Sequence, residues 1–484
     1  MKKYIKSIAL FLSLLMLFNC FSIISFAEEN ETQVDNSITA PAEEPVKEWH
    51  LVDEQEITTG ELIGEVEELT SLREENIKHF RLSDGTYEVV VYNEPIHRKD
   101  ENGVWQDIDN TIELKTDANI SKYTTQDSRV SFADRFKADS DLFTLSENGY
   151  SISMQLLNGG NELDNEIGTT DFVAFDTPTV NNSPSERTET KFNSLEEAKS
   201  INNTSSIVYN NIKKNTNIEY ILNGNNVKEN IIITAPCESY EYIFQITLDG
   251  LYAELEGNVI FIKDIETNQT EYTIPAPYMY DANDNYSDDV SYALEQIKDE
   301  IYLLVVTADA EWINSEERAF PVVVDPTFEH HPIYYDSYVD TRSPDENFGY
   351  DPIMKVSNNC AAFIQMPIPD LPEGATLNSA YLNVPYYYYI TTGMLSAALY
   401  EVNEAWGEGT ITANTFPYIG DIISTDILSA SADITEQTPG NARFNITTLI
   451  NKWYNGTPNY GVMIMRRDSS QATNQSVILK TYEA

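Results

Sequence analysis

Short runs of β-branched and aromatic residues, broken by Asn, Gly and Asp clusters, recur along most of this 484-residue chain. Tyr87-Glu88-Val89-Val90-Val91-Tyr92 follows an Asp84-Gly85 turn, and Asn102-Gly103 opens a hairpin-like piece that runs to Asn110. The same pattern predicts strands at Tyr150–Leu156, Ser206–Tyr209, Ile218–Leu222, Asn230–Thr234, Tyr240–Leu248, Val259–Ile262 and Ile301–Thr307. A spacing of roughly 8–15 residues between such runs suits a sandwich or barrel. Helices do not alternate with these strands, so a parallel α/β sheet is disfavoured. Val322-Val323-Val324 ends in Asp325-Pro326, which marks a domain junction. Proline cannot donate to a ladder and restricts the residue before it. Beyond it, strands are predicted at Ala380–Tyr389, Leu395–Val402, Arg443–Ile446 and Gly461–Arg466. The expected fold is all-β, with two β-sandwich domains at 76–327 and 328–484.

Two stretches have helical spacing instead. Thr447–Tyr454 puts Leu449, Ile450 and Trp453 on one face, and Asn455-Gly456 stops it. Leu62, Val66, Leu69 and Ile77 fall near helical spacing among glutamates, which predicts a short amphipathic helix over Glu61–Glu75. That helix would close an acidic linker, residues 28–75, with little to bury. Ahead of the linker, Lys2, Lys3 and Lys6 precede an apolar run from Ile8 to Phe26. Ser25-Phe26-Ala27 fits a cleavage site, so residues 1–27 read as a secretory signal peptide. An uncleaved anchor is the alternative, because the run is nearly long enough to span a bilayer. Either reading places the rest of the chain outside the cell.

Charge narrows the partners. The chain has 30 basic against 78 acidic residues, a net charge of −48. Such a chain repels nucleic acid and anionic lipid, and attracts divalent cations. Asp336, Asp340, Asp345 and Asn347, with Glu346, Gly349 and Asp351 beside them, are candidate calcium ligands in one loop region. Their spacing is not that of an EF-hand, and Asp345-Glu346-Asn347 is equally a good turn. No other cofactor is expected. Cys20 lies in the leader, and Cys237 and Cys360 read as two buried thiols in different domains. The five histidines form no H-E-x-x-H, and no G-x-S-x-G occurs. The chain therefore reads as non-catalytic.

Tyr386, Tyr387, Tyr388 and Tyr389 supply aromatics to both faces of one strand, because side chains alternate. Two of them should face the core and two the solvent. The outer pair is either a platform for sugar rings, whose C–H faces dock on aromatic faces, or ordinary strand aromatics. Trp406 and Trp453 read as core residues of a sandwich.

Four pieces of residues 328–484 resemble the DNRLRE domain, also classed as carbohydrate-binding module family 96. They are Asp336–Asp340 with Pro344, Asn347 and Gly349; Pro369–Ala375 running into Ser379–Leu382; Ala405-Trp406-Gly407-Glu408 with Asn414 and Pro417; and Phe444–Trp453 followed by Asn455–Gly461. The resemblance implies a jelly-roll β-sandwich that binds carbohydrate. Three departures stand out. The family's arginine is missing before Ala361–Met366, Ala413 stands where a second aromatic is usual, and Asn445 replaces an aspartate. The family's closing strand is also expected to be missing, as in a fragment of a longer surface protein. Residues 76–326 resemble the β-rich segment that precedes this domain in secreted Firmicutes proteins of the Rhs or YD-repeat kind. Asp84–Tyr87, Trp105–Asn110, Val227-Lys228-Glu229 and Pro321–Thr327 carry that likeness.

The sequence thus describes a secreted, extracellular protein, cell-surface associated in one version, that holds a polysaccharide or cell-wall glycan and no nucleic acid. The alternative is a structural, protein-contacting segment of a Rhs-like or polymorphic-toxin-like surface assembly. Its partners would be other surface proteins or a missing C-terminal segment.

Overall fold

Alternating apolar positions build two antiparallel sheets over residues 112–330. A computed structural model describes residues 21–28 and 66–480, apart from internal stretches of which the longest are 158–176, 183–189, 430–439 and 468–475. One sheet has eight strands, with Glu241–Asp249 near its middle and the hairpins Val290–Ala308 and Ile112–Thr125 at its edges. Burial alternates as the sequence predicts: Tyr242, Phe244, Ile246 and Leu248 are buried and their neighbours are not. The other sheet has eleven strands and centres on Thr216–Asn223 and Asn226–Ile233. Phe143 of the first sheet stands 5.3 Å from the Tyr220 ring and 5.4 Å from the Phe328 ring of the second, so aromatic contacts bridge the layers. Pro326 interrupts this second sheet without ending it. Val322–Asp325 pairs with Ile231–Ile233, and Thr327 and Phe328 pair with Lys228 and Val227.

The C-terminal region is built from a five-stranded sheet in the order Tyr335–Asp340, Cys360–Gln365, Val462–Arg466, Met394–Val402 and Ile419–Ser429. Across one core from it lie Ala375–Tyr389, Gly440–Asn445, Ser476–Lys480 and Ile353–Val356. Tyr338, Ala362, Leu399 and Ile464 from the first layer meet Leu382, Val384, Phe444 and Leu479 from the second, as in a β-sandwich. Ser476–Lys480 was not among the strands predicted from sequence. The second layer also runs on through Phe21–Glu28 into Tyr87–Val91, Ile77–Leu82 and Val66–Glu68. Ile77, Tyr87, Val89 and Val91 lie in the same core as Trp453.

The Thr447–Tyr454 helix forms with the predicted bounds, and Leu449, Ile450 and Trp453 are buried. Asn445 Oδ1 accepts the Thr447 backbone N–H at 3.1 Å and its hydroxyl at 2.7 Å. Asparagine therefore ties down the first turn where the family has aspartate. The helix expected over Glu61–Glu75 is corrected for its described part. Val66–Glu68 is a strand and Thr70–Leu72 a single 3-10 turn, while Leu62 lies outside the described residues. Ladder partners on both sides, Ile77–Leu82 and Lys191–Phe192, override the local helical spacing. Cys237 is half-buried, Cys360 is buried, and both are free thiols.

Glu229 breaks the apolar pattern of Asn226–Ile233. It shares its strand face with Val227, Ile231 and Ile233 and is fully buried, directly across the ladder from Tyr220. Burial pushes its carboxyl up to about 8, with a smaller pull down from the Tyr220 hydroxyl and a push up from Asp325. The folded protein thus holds this proton more tightly than the unfolded chain does. The resulting stability is complete below about pH 4.5 and lost as pH rises through about 8. Urea midpoints of the parent should fall between about pH 5 and pH 8.5, and Glu229→Gln should remove most of that fall. Equal slopes in the two proteins would contradict a proton held at this site.

Candidate carbohydrate-binding face

Cys360-Ala361-Ala362-Phe363-Ile364 and Val462-Met463-Ile464-Met465 are continuous apolar runs without polar alternation. Strands of this kind need cover on both faces. The inner face, with Ala362, Ile364, Val462, Ile464, Ala397 and Leu399, belongs to the main core. The outer face carries Val339, Phe363, Val402 and Met463, flanked by Ala361, Tyr400 and Met465. A loop over residues 403–418 crosses this outer face and lays Trp406, Ile411 and Ala413 on it.

Hydrogen bonds fix that loop. Trp406 Nε1 donates to the Tyr460 carbonyl at 2.9 Å. The Asn347 amide donates to the carbonyls of Glu408 and Ile411 at 2.7 and 2.8 Å. Asn414 donates from its backbone to the Pro344 carbonyl at 3.0 Å and from its amide to Asp345 Oδ1 at 2.7 Å. A Cβ on Gly349 would stand 2.2 Å from the Glu408 carbonyl oxygen, so only glycine lets the two loops touch.

The cover is incomplete. Tyr335, Trp406, Phe363 and Phe416 form a line of rings with successive centroids 6.3, 5.7 and 6.4 Å apart. Phe363 is buried at its centre and Trp406 half-buried, while Tyr335 is 38% exposed, Phe416 48% and the neighbouring Tyr418 68%. Thr412, Asn414, Thr415, Gln365 and Asn459 bring hydroxyls and amides to the same end of the sheet. Ring faces beside amides and hydroxyls suit a sugar, which offers C–H faces and hydroxyls together. Sequence reasoning assigned Trp406 to the core and passed over Tyr335, Phe416 and Tyr418. The available signal was the continuous apolar runs, which call for a second cover.

The residues singled out from the sequence fall elsewhere. Tyr386 is buried in the main core, opposite Leu479 and Gly440. The side chains of Tyr387, Tyr388 and Tyr389 lie outside the described residues. The candidate calcium ligands do not converge. Asp336 and Asp340 stand near opposite ends of one strand, and Asp340 accepts the Arg342 guanidinium at 2.5 Å. Asp345 and Asn347 serve the loop contacts just described. Asp336 instead meets Glu408, 72 positions away, and its backbone N–H donates to Glu408 Oε1 at 3.0 Å. Burial first, then the Asp336 charge, hold the Glu408 carboxyl well above the usual carboxylate range. This buried acid therefore stays protonated at neutral pH.

Among the described residues one other group has metal-ligand geometry: Glu68, His97 and Asp107, with ligand atoms within 4.8 Å of one another. Two cations already occupy its centre. Arg73 reaches Glu68 at 2.7 Å and Asp107 at 2.9 Å, and Lys78 reaches Asp107 at 2.8 Å and Glu68 at 3.5 Å. The His97 ring donates from Nδ1 to the Glu74 carbonyl at 2.5 Å. His79, on the Lys78 strand, is pushed down to about 4 by burial and brings no charge. Despite burial, His97, Lys78 and Arg73 together hold Asp107 well below its ordinary range. Two carboxylates balanced by two cations make an ion-pair knot between strands and leave no net charge for a metal. Lys78→Met should therefore lower unfolding stability by about 3 kcal/mol, because it leaves a carboxylate uncompensated in the interior. A loss below about 1 kcal/mol, or stabilisation of the parent by zinc, would contradict this balance.

Residues 328–481 match carbohydrate-binding module family 96. The ring face lies wholly inside that segment. The family is non-catalytic, in keeping with no enzymatic activity in this region, and its modules are typical of secreted proteins. Nearly the whole chain is also similar to three Bacillus proteins. It is 24% identical over 94% of its length to the tRNA3(Ser)-specific nuclease WapA of Bacillus spizizenii and to the tRNA(Glu)-specific nuclease WapA of Bacillus subtilis subsp. natto. It is 23% identical over 95% of its length to the tRNA nuclease WapA of Bacillus subtilis strain 168. The chain spans 19% of the length of each relative. The part outside the family 96 segment shares this weak but consistent similarity.

Proposed function

We propose that this chain is a secreted, non-catalytic polysaccharide-binding protein, and that its ligand lies on the outer face of the five-stranded sheet. The observation that carries this reading is the partly open line of rings over a second apolar layer, inside the family 96 segment. Tyr335, Phe416 and Tyr418 would stack on sugar rings, with Trp406 and Phe363 as their floor. The amides and hydroxyls of residues 412–415, Gln365 and Asn459 would take sugar hydroxyls. Each ring contact contributes about 1 kcal/mol, so two or three give weak binding that repetition along a polymer strengthens. Export rests on the leader-like residues 1–27 and on the company that family 96 modules keep.

A second reading concerns the larger protein. The match covers nearly all of this chain but a fifth of each WapA relative, which favours a surface or delivery segment remote from nuclease chemistry. The N-terminal sandwich would then act as a spacer or protein contact, and the net charge of −48 would keep RNA away.

Affinity electrophoresis through polysaccharide gels tests the face. The double variant Tyr335→Ala/Phe416→Ala should lose retention tenfold or more, while Tyr387→Ala/Tyr389→Ala should change it less than twofold. The reverse order would move the ligand to the tyrosine run and reject the ring face.

A further inference from the structure

We infer that the ring face takes a neutral glycan and rejects polyanionic ones, an inference that rests on the glycan-binding reading above. The argument is charge complementarity around the rings. Six basic residues of the C-terminal region have described side chains, and each is engaged or distant. Lys452 reaches Glu401 at 2.7 Å, and Arg466 is buried and donates to Asn358 at 2.6 Å. Lys355 lies over the core ring of Tyr338, and Arg443 over Tyr381 of the opposite layer. Arg342 is paired with Asp340, at the other end of its strand from Tyr335. Arg467 follows the end of Val462–Arg466 that pairs with Ala397, whereas the rings gather at the end near Glu401 and Val462. Among the described residues, then, no cation stands beside the rings.

Carboxylates do. Glu404 is exposed and accepts the Tyr418 backbone N–H at 3.2 Å, which fixes its charge next to the most open ring. Asp345 is exposed and bonded to Asn414, two residues from Phe416, and Glu346 beside it is exposed too. A uronate or phosphate polymer docked on these rings would lie within the screening length, about 8 Å at physiological salt, of three like charges. A neutral chain meets no such repulsion, and its hydroxyls can donate to the same carboxylates.

The test uses the full chain in gels of neutral polymers (mixed-linkage β-glucan, xylan, galactomannan) and of polyanions (alginate, polygalacturonate), each with EDTA and with calcium. Retention by at least one neutral polymer should exceed that by every polyanion tenfold or more, with or without calcium. The charge variant Glu404→Gln/Asp345→Asn/Glu346→Gln should shift the ratio towards the polyanions at least threefold. A polyanion bound more tightly than all neutral polymers, with or without calcium, and released by Tyr335→Ala/Phe416→Ala, would overturn the inference and leave the face standing. Retention by nothing, or retention that the ring variants do not weaken, would overturn the face itself and the inference with it.

Discussion

The C-terminal region depends on one constraint: its five-stranded sheet is apolar on both faces, so it must be covered twice. Burying apolar surface is worth roughly 25 cal/mol per Å², and a strand that is greasy on both sides cannot leave either one in water without loss. The second layer of the sandwich covers the inner face completely, through residues such as Leu382 and Phe444. A loop covers the outer face, and a loop is a poorer lid than a sheet. It brings Trp406, Ile411 and Ala413 down onto Phe363 and Met463, then leaves Phe416 and Tyr418 in solvent. A contiguous exposed patch of this kind in a folded protein marks an interaction site.

The polar chemistry around the loop follows from that arrangement. Its carbonyls need donors, and Asn347 supplies two from one amide. Close contact of the loops needs a residue without a Cβ, and Gly349 supplies it. Glu408 ends beneath the loop beside Asp336, where two charges could not both persist, so its carboxyl keeps a proton. On the other side of the molecule a similar problem is solved differently. Glu68 and Asp107 are neutralised by Arg73 and Lys78. Of these two solutions, the knot is anchored next to Ile77, a residue that packs into the C-terminal core. Electrostatics near the N-terminus and packing near the C-terminus are therefore linked through one short strand.

Sequence legibility followed the range of the interactions. Thr447–Tyr454 was readable because its signals are local: three apolar residues at helical spacing and an Asn-Gly stop. The strands of the N-terminal sandwich were readable because one face is solvated and the alternation shows, as along Glu241–Asp249. Glu61–Glu75 misled because Val66 and Leu69 have helical spacing while Val66–Glu68 finds ladder partners more than a hundred residues away in one direction, at Lys191–Phe192. The Asp336–Glu408 contact spans 72 positions and leaves no pattern at all. The ring face was half legible. Four tyrosines in a row drew attention, yet Tyr386 went to the core. The quieter signal, apolar runs with no polar alternation at Ala361–Ile364 and Val462–Met465, pointed to the face that stays partly open.

Hydroxyl-radical footprinting of the chain, free and retained on a neutral polysaccharide, tests this account most directly. Tyr418, Phe416 and Tyr335 should oxidise quickly in the free chain and slow down on the polymer, while Tyr386 and Trp453 stay slow in both. If the three rings are as protected as Phe363 in the free chain, or if the polymer shields the N-terminal sandwich instead, a partly covered second face is not what this protein offers its ligand.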